Sequence, residues 1–249
     1  IYELVGGLDS GATVSSGAVQ YAISGGVASS TTVSSGGGLY LFAGGSAGGA
    51  IIGDGGLLVG SAGAQATSTT VSGGLEYVSG RESGATVSSG AQYVFSGGTA
   101  TSTTVNAGAL EYAYGGATVN GATLAGGTLE VLAGAAVSGA INIGLGLLKL
   151  DDAHNISGLQ VSGFQGGEGG GGRIDLVDFL YNPAATSMSY VDAGTSGTLS
   201  VTYGTYRTTL ALVGQYSAAN FTASADANGD TLITYRPSSG ALLAAPAIH

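Results

Sequence analysis

The chain has no cysteine and no tryptophan, only 3 prolines, and only 5 Lys and Arg together. Charged residues make up 8 % of its positions, against roughly 25 % in ordinary soluble domains. Each shortage excludes something. Without cysteine there is no disulfide framework, no cysteine-ligated zinc and no thiol chemistry. Scarce proline without a strict Gly-X-Y period excludes collagen. So few basic residues leave neither a nucleic acid nor an anionic membrane as an expected partner. No apolar run reaches the ~18 residues of a membrane-spanning helix, so no membrane insertion is expected. What is abundant is glycine, at 49 of 249 residues, and hydrophobic residues at 44 %. The latter are too many for a disordered linker, so a core must exist. Many are Ala and Val, which predicts a core made of many thin layers. A net charge of −10 keeps the largely uncharged surface soluble.

A repeat organises the glycines. The phrase Thr-Val followed by a Ser/Gly turn recurs at Thr13-Val14, Thr32-Val33, Thr70-Val71, Thr86-Val87 and Thr104-Val105, with looser copies at Ile52, Leu124 and Ile141. These anchors are separated by 19, 19, 19, 16, 18, 19 and 17 residues. A second column follows six or seven residues later: Tyr21, Tyr40, Val59, Tyr77, Tyr93, Tyr112, Val131 and Leu148. Tyr2 stands 12 residues before Val14 and is read as a member of that column. On that reading the chain begins part-way through a repeat of a longer array.

The apolar segments are short and rich in Val, Thr, Tyr and Leu, which suit strands. Gly-Gly and Ser-Gly pairs separate them, as tight corners require. One such turn buries no face alone. Stacked at about 4.8 Å, successive turns bury a column and pair each backbone with the turns above and below. Eight anchors predict a rod segment about 34 Å long. The Val/Ile column is expected to point inward. The residues before the tyrosines include Gln20, Glu76, Gln92, Glu111 and Glu130. Ionised carboxylates are not buried unpaired, so this column is expected outside and the tyrosines inside.

The segments Ala100–Tyr112 and Gly90–Ala100 resemble the AIDA-type repeats of bacterial autotransporter adhesins and self-associating surface antigens. The resemblance covers roughly residues 1–145. It implies a right-handed parallel β-helix, export, display at the cell surface, and roles in adhesion, cell–cell aggregation and biofilm. Some members carry heptose on Ser/Thr of these repeats, so Ser/Thr glycosylation is possible here. Autotransporters end in a membrane barrel of alternating strands. The final residues, Leu243 to His249, lack that pattern, which reads as an excised passenger or as another export route.

The period stops after Leu150. Residues 1–150 are therefore read as the solenoid and 151–249 as a β-rich cap or terminal coils. Strands are predicted at Arg173–Leu176, Ser189–Asp192, Thr198–Tyr203, Thr205–Val213, Phe221–Ala225 and Thr231–Tyr235, with hairpin turns at Gly204 and Asn228-Gly229. An antiparallel cap would cover the open sheet edge of the last coil. The overall expectation is an all-β chain, a parallel β-helix of about eight coils with an antiparallel β cap.

Chemistry is sparse. Asp226-Ala227-Asn228-Gly229-Asp230 begins like a calcium loop but has Pro237 where the bidentate Glu belongs. A hairpin explains it, and Asp226, Asn228 and Asp230 stand only as weak metal candidates. Gly166–Gly172 lacks the Lys-Ser/Thr of a phosphate loop and reads as a flexible loop, so no cofactor is expected. Glu76 and Glu111, two rungs apart, resemble the spacing of an inverting glycosidase, but no basic or aromatic cluster adjoins them in sequence. Arg81-Glu82 is read as a tight corner, Asp151, Asp152 and His154 as a junction network, and Arg173, Asp175 and Asp178 as an ion pair in the cap. No catalytic residue is assigned.

The leading expectation is a secreted or surface-displayed stalk for adhesion and self-association, with Tyr21, Tyr40, Tyr77, Tyr93, Tyr112, Glu76, Glu111 and Glu130 as ladder residues. Ser, Thr and Asn rows would supply many weak contacts, summed by avidity. The partner would be a second copy, a host glycan or a host protein. The alternatives are a carbohydrate-active β-helix enzyme, and a passive spacer or glycan-binding module of a larger protein.

Overall fold

A computed structural model describes residues 1–156, 158–164 and 171–237. It is all-β apart from two short 3-10 turns, Ala153–Asn155 and Ala218–Asn220. Each coil carries three short strands joined by corners. In one coil these are Gly38–Leu41, Ser46–Gly48 and Ile51–Gly53. They pair in parallel with Val19–Ala22, Val27–Ser29 and Thr32–Val33 of the coil before. They pair likewise with Leu57–Gly60, Gln65–Thr67 and Thr70–Val78 of the coil after. The result is a three-sided parallel solenoid of about eight turns.

The interior is a set of stacked rows. Val14, Val33, Ile52, Val71, Val87, Val105 and Leu124 form one row, each at most 4 % exposed. Ile141, expected to extend this row, faces Ala122 instead. Ala28, Ala47, Ala66, Glu82, Ala100 and Val119 form a second row, whose members other than Glu82 are small enough to let the three walls approach. Leu41, Val78, Val94, Ala113, Val131 and Leu150 lie in a third.

Glycine serves two purposes at the corners. Gly36 has φ +79°, a backbone that other residues enter only with strain. Gly98 has no such φ, but a Cβ built there would lie 2.3 Å from the Val78 carbonyl oxygen of the preceding coil. Its row comprises Gly26, Gly45, Ala64, Gly80, Gly98 and Ala117. Carbonyls of this row accept the next coil's N–H, as in Gln65 N to Gly45 O (3.2 Å) and Thr118 N to Gly98 O (3.0 Å). The hydrogen bonding that stacks the coils therefore demands a side chain no larger than methyl.

Parallel stacking runs past Leu150. Gln160–Ser162 continues one wall, and Arg173–Leu180 lies on Leu147–Leu150. Pairing then turns antiparallel. Thr186–Asp192, Ser196–Tyr203 and Tyr206–Val213 form a meander, and its last strand docks in parallel on Gln160–Ser162. Phe221–Ala225 and Asp230–Tyr235 form a hairpin that pairs with Arg173–Leu180. The edges of the last coil are thus occupied. Phe164, Tyr216, Phe221 and Tyr235 pack mostly edge-to-face over this end, with Phe221 and Tyr235 centroids 4.8 Å apart. Both predicted hairpin turns, at Gly204 and at Asn228-Gly229, join the strands expected. Gly166–Gly170 and the chain end after Pro237 lie outside the described residues.

Candidate functional site: an outward aromatic row and three acidic clusters

The strand carrying the tyrosines alternates opposite to expectation. Gln20, Leu39, Leu58, Glu76, Gln92 and Glu111 are each 0 % exposed and line the interior. Tyr21, Tyr40, Tyr77, Tyr93 and Tyr112 point outward and are half-buried. The expectation failed because it treated the glutamates as charged. Burial raises Glu76 above its ordinary value and holds Glu82 at about 9 and Glu111 at about 8, so at neutral pH Glu82 and Glu111 are neutral acids. A neutral acid costs far less to bury than an ion.

Two further column assignments change. Glu130 stands beside Tyr112, one residue ahead of the expected Val131, so it faces outward. Its carboxylate lies 3.6 Å from Lys149 Nζ, the next member of the row. Tyr2 pairs with Val19, and Leu4 is the residue beside Tyr21. Coils of unequal length move the register by a residue or two, and a fixed sequence offset cannot follow this.

The outward tyrosines join corner residues Phe42, Phe95 and Tyr114 into an aromatic strip. Tyr21 and Tyr40 centroids are 5.5 Å apart, and Tyr21 and Phe42 are 5.9 Å apart. Farther along, Tyr93 and Tyr112 stack at 5.2 Å with an interplanar angle of 8°, and Phe95 stacks on Tyr114 at 5.1 Å. Val59 breaks the strip between Tyr40 and Tyr77. The coil spacing sets the ring spacing, so the strip is rigid and repeats along the rod. The other two walls carry hydroxyls and amides. One shows the row Thr13, Thr32, Ile51, Thr70, Thr86, Thr104 and Thr123. The other has a shallow groove lined by Gln65, Thr67, Arg81, Ser83, Thr99 and Thr101.

Two polar clusters that sequence reading missed form around inward-facing glutamines, the first open to solvent at Glu3 and the second buried. Gln20 Nε2 donates to Glu3 (2.9 Å) and to Asp9 (2.6 Å), and its Oε1 accepts from Thr31 (3.1 Å). Gln92 Nε2 donates to Glu76 (2.8 Å), and its Oε1 accepts from Thr103 (3.4 Å), while Thr69 donates to Glu82 (3.3 Å). The same residue order recurs: Glu3, Asp9, Gln20, Thr31, then Glu76, Glu82, Gln92, Thr103. That recurrence was the available signal. Glu82 is no corner residue. It sits mid-strand in Arg81–Ser83 with its side chain 1 % exposed, and Arg81 beside it is exposed. No glycan can reach Glu76 or Glu111, so the carboxylate pair of a glycosidase is not assembled there.

At the cap junction, Asp178 organises the turn. Its carboxylate accepts from the N–H of Ala153 (3.0 Å) and of His154 (3.3 Å) and bonds His154 Nδ1. Asp152 Oδ1 lies 3.2 Å from the same nitrogen, and Tyr206 packs 4.9 Å from the ring. The hydrogen bond from Asp178 holds the imidazole above its ordinary value. Asp178 and Asp175 therefore pair differently from expectation. Arg173 is exposed and forms no ion pair with either. Asp175 instead lies with Asp226 and Asp230, one carboxylate oxygen of each within 4.8 Å of the others. Asn228 is exposed, and its amide contacts only Asp226 (N, 2.8 Å; Nδ2, 3.4 Å).

Residues 10–75 match the AIDA family, described as "Adhesin of bacterial autotransporter system, probable stalk". The repeats are of the AIDA type. A solved structure supports the same placement: a TibC-catalysed, hyper-glycosylated fragment of TibA, residues 55–350, is 31 % identical with a TM-score of 0.51. The match covers 66 % of this chain and 66 % of that chain, so the chain spans just under two thirds of that fragment. None of the curated proteins matches the chain. Both matches support an adhesin-type passenger.

Proposed function

We propose that this chain is a surface-displayed or secreted adhesion stalk whose aromatic wall drives side-by-side association with the same rod on another cell. The observation that carries the reading is the outward strip of Tyr77, Tyr93, Phe95, Tyr112 and Tyr114, repeated at coil spacing on a rigid wall. Stacked rings present apolar area with little side-chain entropy to lose. Each contact is weak, and a rod sums many of them. Residues 151–249 act as the cap that ends the stack and prevents edge-to-edge growth. The Ser and Thr hydroxyls of the other two walls are the candidate acceptors for sugars, a reading supported by the hyper-glycosylation of the matched TibA fragment. A glycan dressing there leaves the aromatic wall free. The burial of Glu76 and Glu111, the two carboxylates with glycosidase spacing, favours this role over sugar cleavage.

The test displays the chain on cells that do not otherwise aggregate and replaces Tyr77, Tyr93 and Tyr112 together by serine. Circular dichroism should show an unchanged β signal, and cell settling should be lost. Undiminished settling by a folded triple variant refutes the reading. Loss of binding on a glycan array with settling intact would instead assign the strip to a sugar ligand.

A further inference from the structure

The hairpin turn Asp226 to Asp230 and the last solenoid strand meet where charge is poorly balanced. Asp226 Oδ1 accepts from the N–H of Asn228 and of Asp230, both at 2.8 Å, which rigidifies the turn. Its other oxygen has only the Asn228 amide at 3.4 Å. Asp230 is 8 % exposed. Asp175 comes from a different element, the strand Arg173–Leu180, with Leu232 of the hairpin as its register partner. It is 3 % exposed, and its Oδ1 is buried with no hydrogen-bond partner. An orphaned, buried carboxylate aimed at two others is what a hard cation resolves.

The protein cation beside the cluster, Lys149, offsets this imbalance only in part. Lys149 precedes Asp175 in the outward row, but its ammonium lies against Glu130 at 3.6 Å. Asp151 adds another buried carboxylate oxygen without a partner nearby. Burial, with repulsion from neighbouring carboxylates, holds Asp175 at about 6 and pushes Asp151 and Asp230 upward. All the donor atoms are oxygens, with no imidazole or thiolate, so the site suits calcium or magnesium rather than zinc. Three carboxylates on a hairpin and a strand, with water to complete the shell, fit the irregular geometry of calcium better than the strict octahedron of magnesium.

We propose that Asp175, Asp226 and Asp230 form a calcium site that fastens the terminal hairpin to the last coil of the solenoid. The ion would replace repulsion across the hairpin–coil seam with shared coordination. An affinity of about 10⁻⁴ to 10⁻³ M, the range of extracellular calcium modules, is expected.

The experiment uses the full chain stripped with a chelator. Calcium chloride is titrated calorimetrically, and thermal unfolding is followed in calcium chloride and in sodium chloride at matched ionic strength. Calcium should bind at one site and raise Tm beyond the sodium control. In chelator, Asp175→Asn should unfold at a higher temperature than the parent, because repulsion is relieved. Its calcium response should vanish, and Asp226→Asn, which keeps the turn's hydrogen bonds, should lose the response too. Equal Tm rises in calcium and sodium, or a calcium response retained by both variants, would overturn the proposal.

Discussion

Replacing Glu111 by glutamine should stabilise the rod, and only above acidic pH. Glu111 lies inside the solenoid with both carboxyl oxygens unpartnered. Burial sets its folded-state value at about 8 against an ordinary value of 4.5. The folded chain keeps a proton that the unfolded chain releases between those limits. The group therefore does not oppose folding below pH 4.5. Stability falls as pH rises from there, and reaches a floor above about 8. Within the window each pH unit costs about 1.4 kcal/mol. From 4.5 to neutrality the loss is about 3 kcal/mol, an order-of-magnitude figure. Glutamine has nearly the same shape and no titrating proton. The stability difference between Glu111→Gln and the parent should be near zero at about pH 4.5. It should grow through neutrality and level off near pH 8. Urea unfolding followed by far-ultraviolet circular dichroism across that range measures it. If the middle coils open before the ends, the same slope appears in the transition of that segment. A difference that does not change with pH would refute the reasoning, because it would mean that Glu111 is charged in the folded rod or solvated within it.

Two further outcomes follow from the corners and the cap. Gly98→Val should destabilise by about 2 kcal/mol or more, because any Cβ there meets the Val78 carbonyl. Gly98→Ala should destabilise as well, though less than valine, because its Cβ alone already lies 2.3 Å from that backbone carbonyl, and chemical denaturation of the pair checks both. His154 should titrate above 6.5 by NMR and return toward that value in Asp178→Asn, because the Asp178 hydrogen bond raises it. The stability it lends is present below 6.5 and fades as pH rises through its folded value.

Much of the architecture was legible in the chain. The Thr-Val phrases mark the inward row, because an aliphatic side chain repeated at coil spacing fills a thin lumen. Gly204 and Asn228-Gly229 mark hairpins by local turn chemistry. The inside and outside of the tyrosine strand were not legible. Strand alternation allows two answers, and the choice rested on charging glutamates that the fold keeps protonated. Glu130 and Tyr2 were misplaced because unequal coils move the register. The buried Gln–Glu–Thr clusters left a trace, the order shared by Glu3 to Thr31 and Glu76 to Thr103, which a search for apolar repeats passes over.

The sequence by itself therefore determined the solenoid, since its period, its small core residues and its corner glycines admit stacked parallel coils and little else. Tertiary structure alone decided which polar groups meet. Asp175 and Asp226 lie 51 positions apart in the chain, and only docking of the hairpin on the last coil brings them together. Protonation followed the same rule. The charge on a glutamate depends on the walls around it, and those walls exist only once neighbouring coils have stacked.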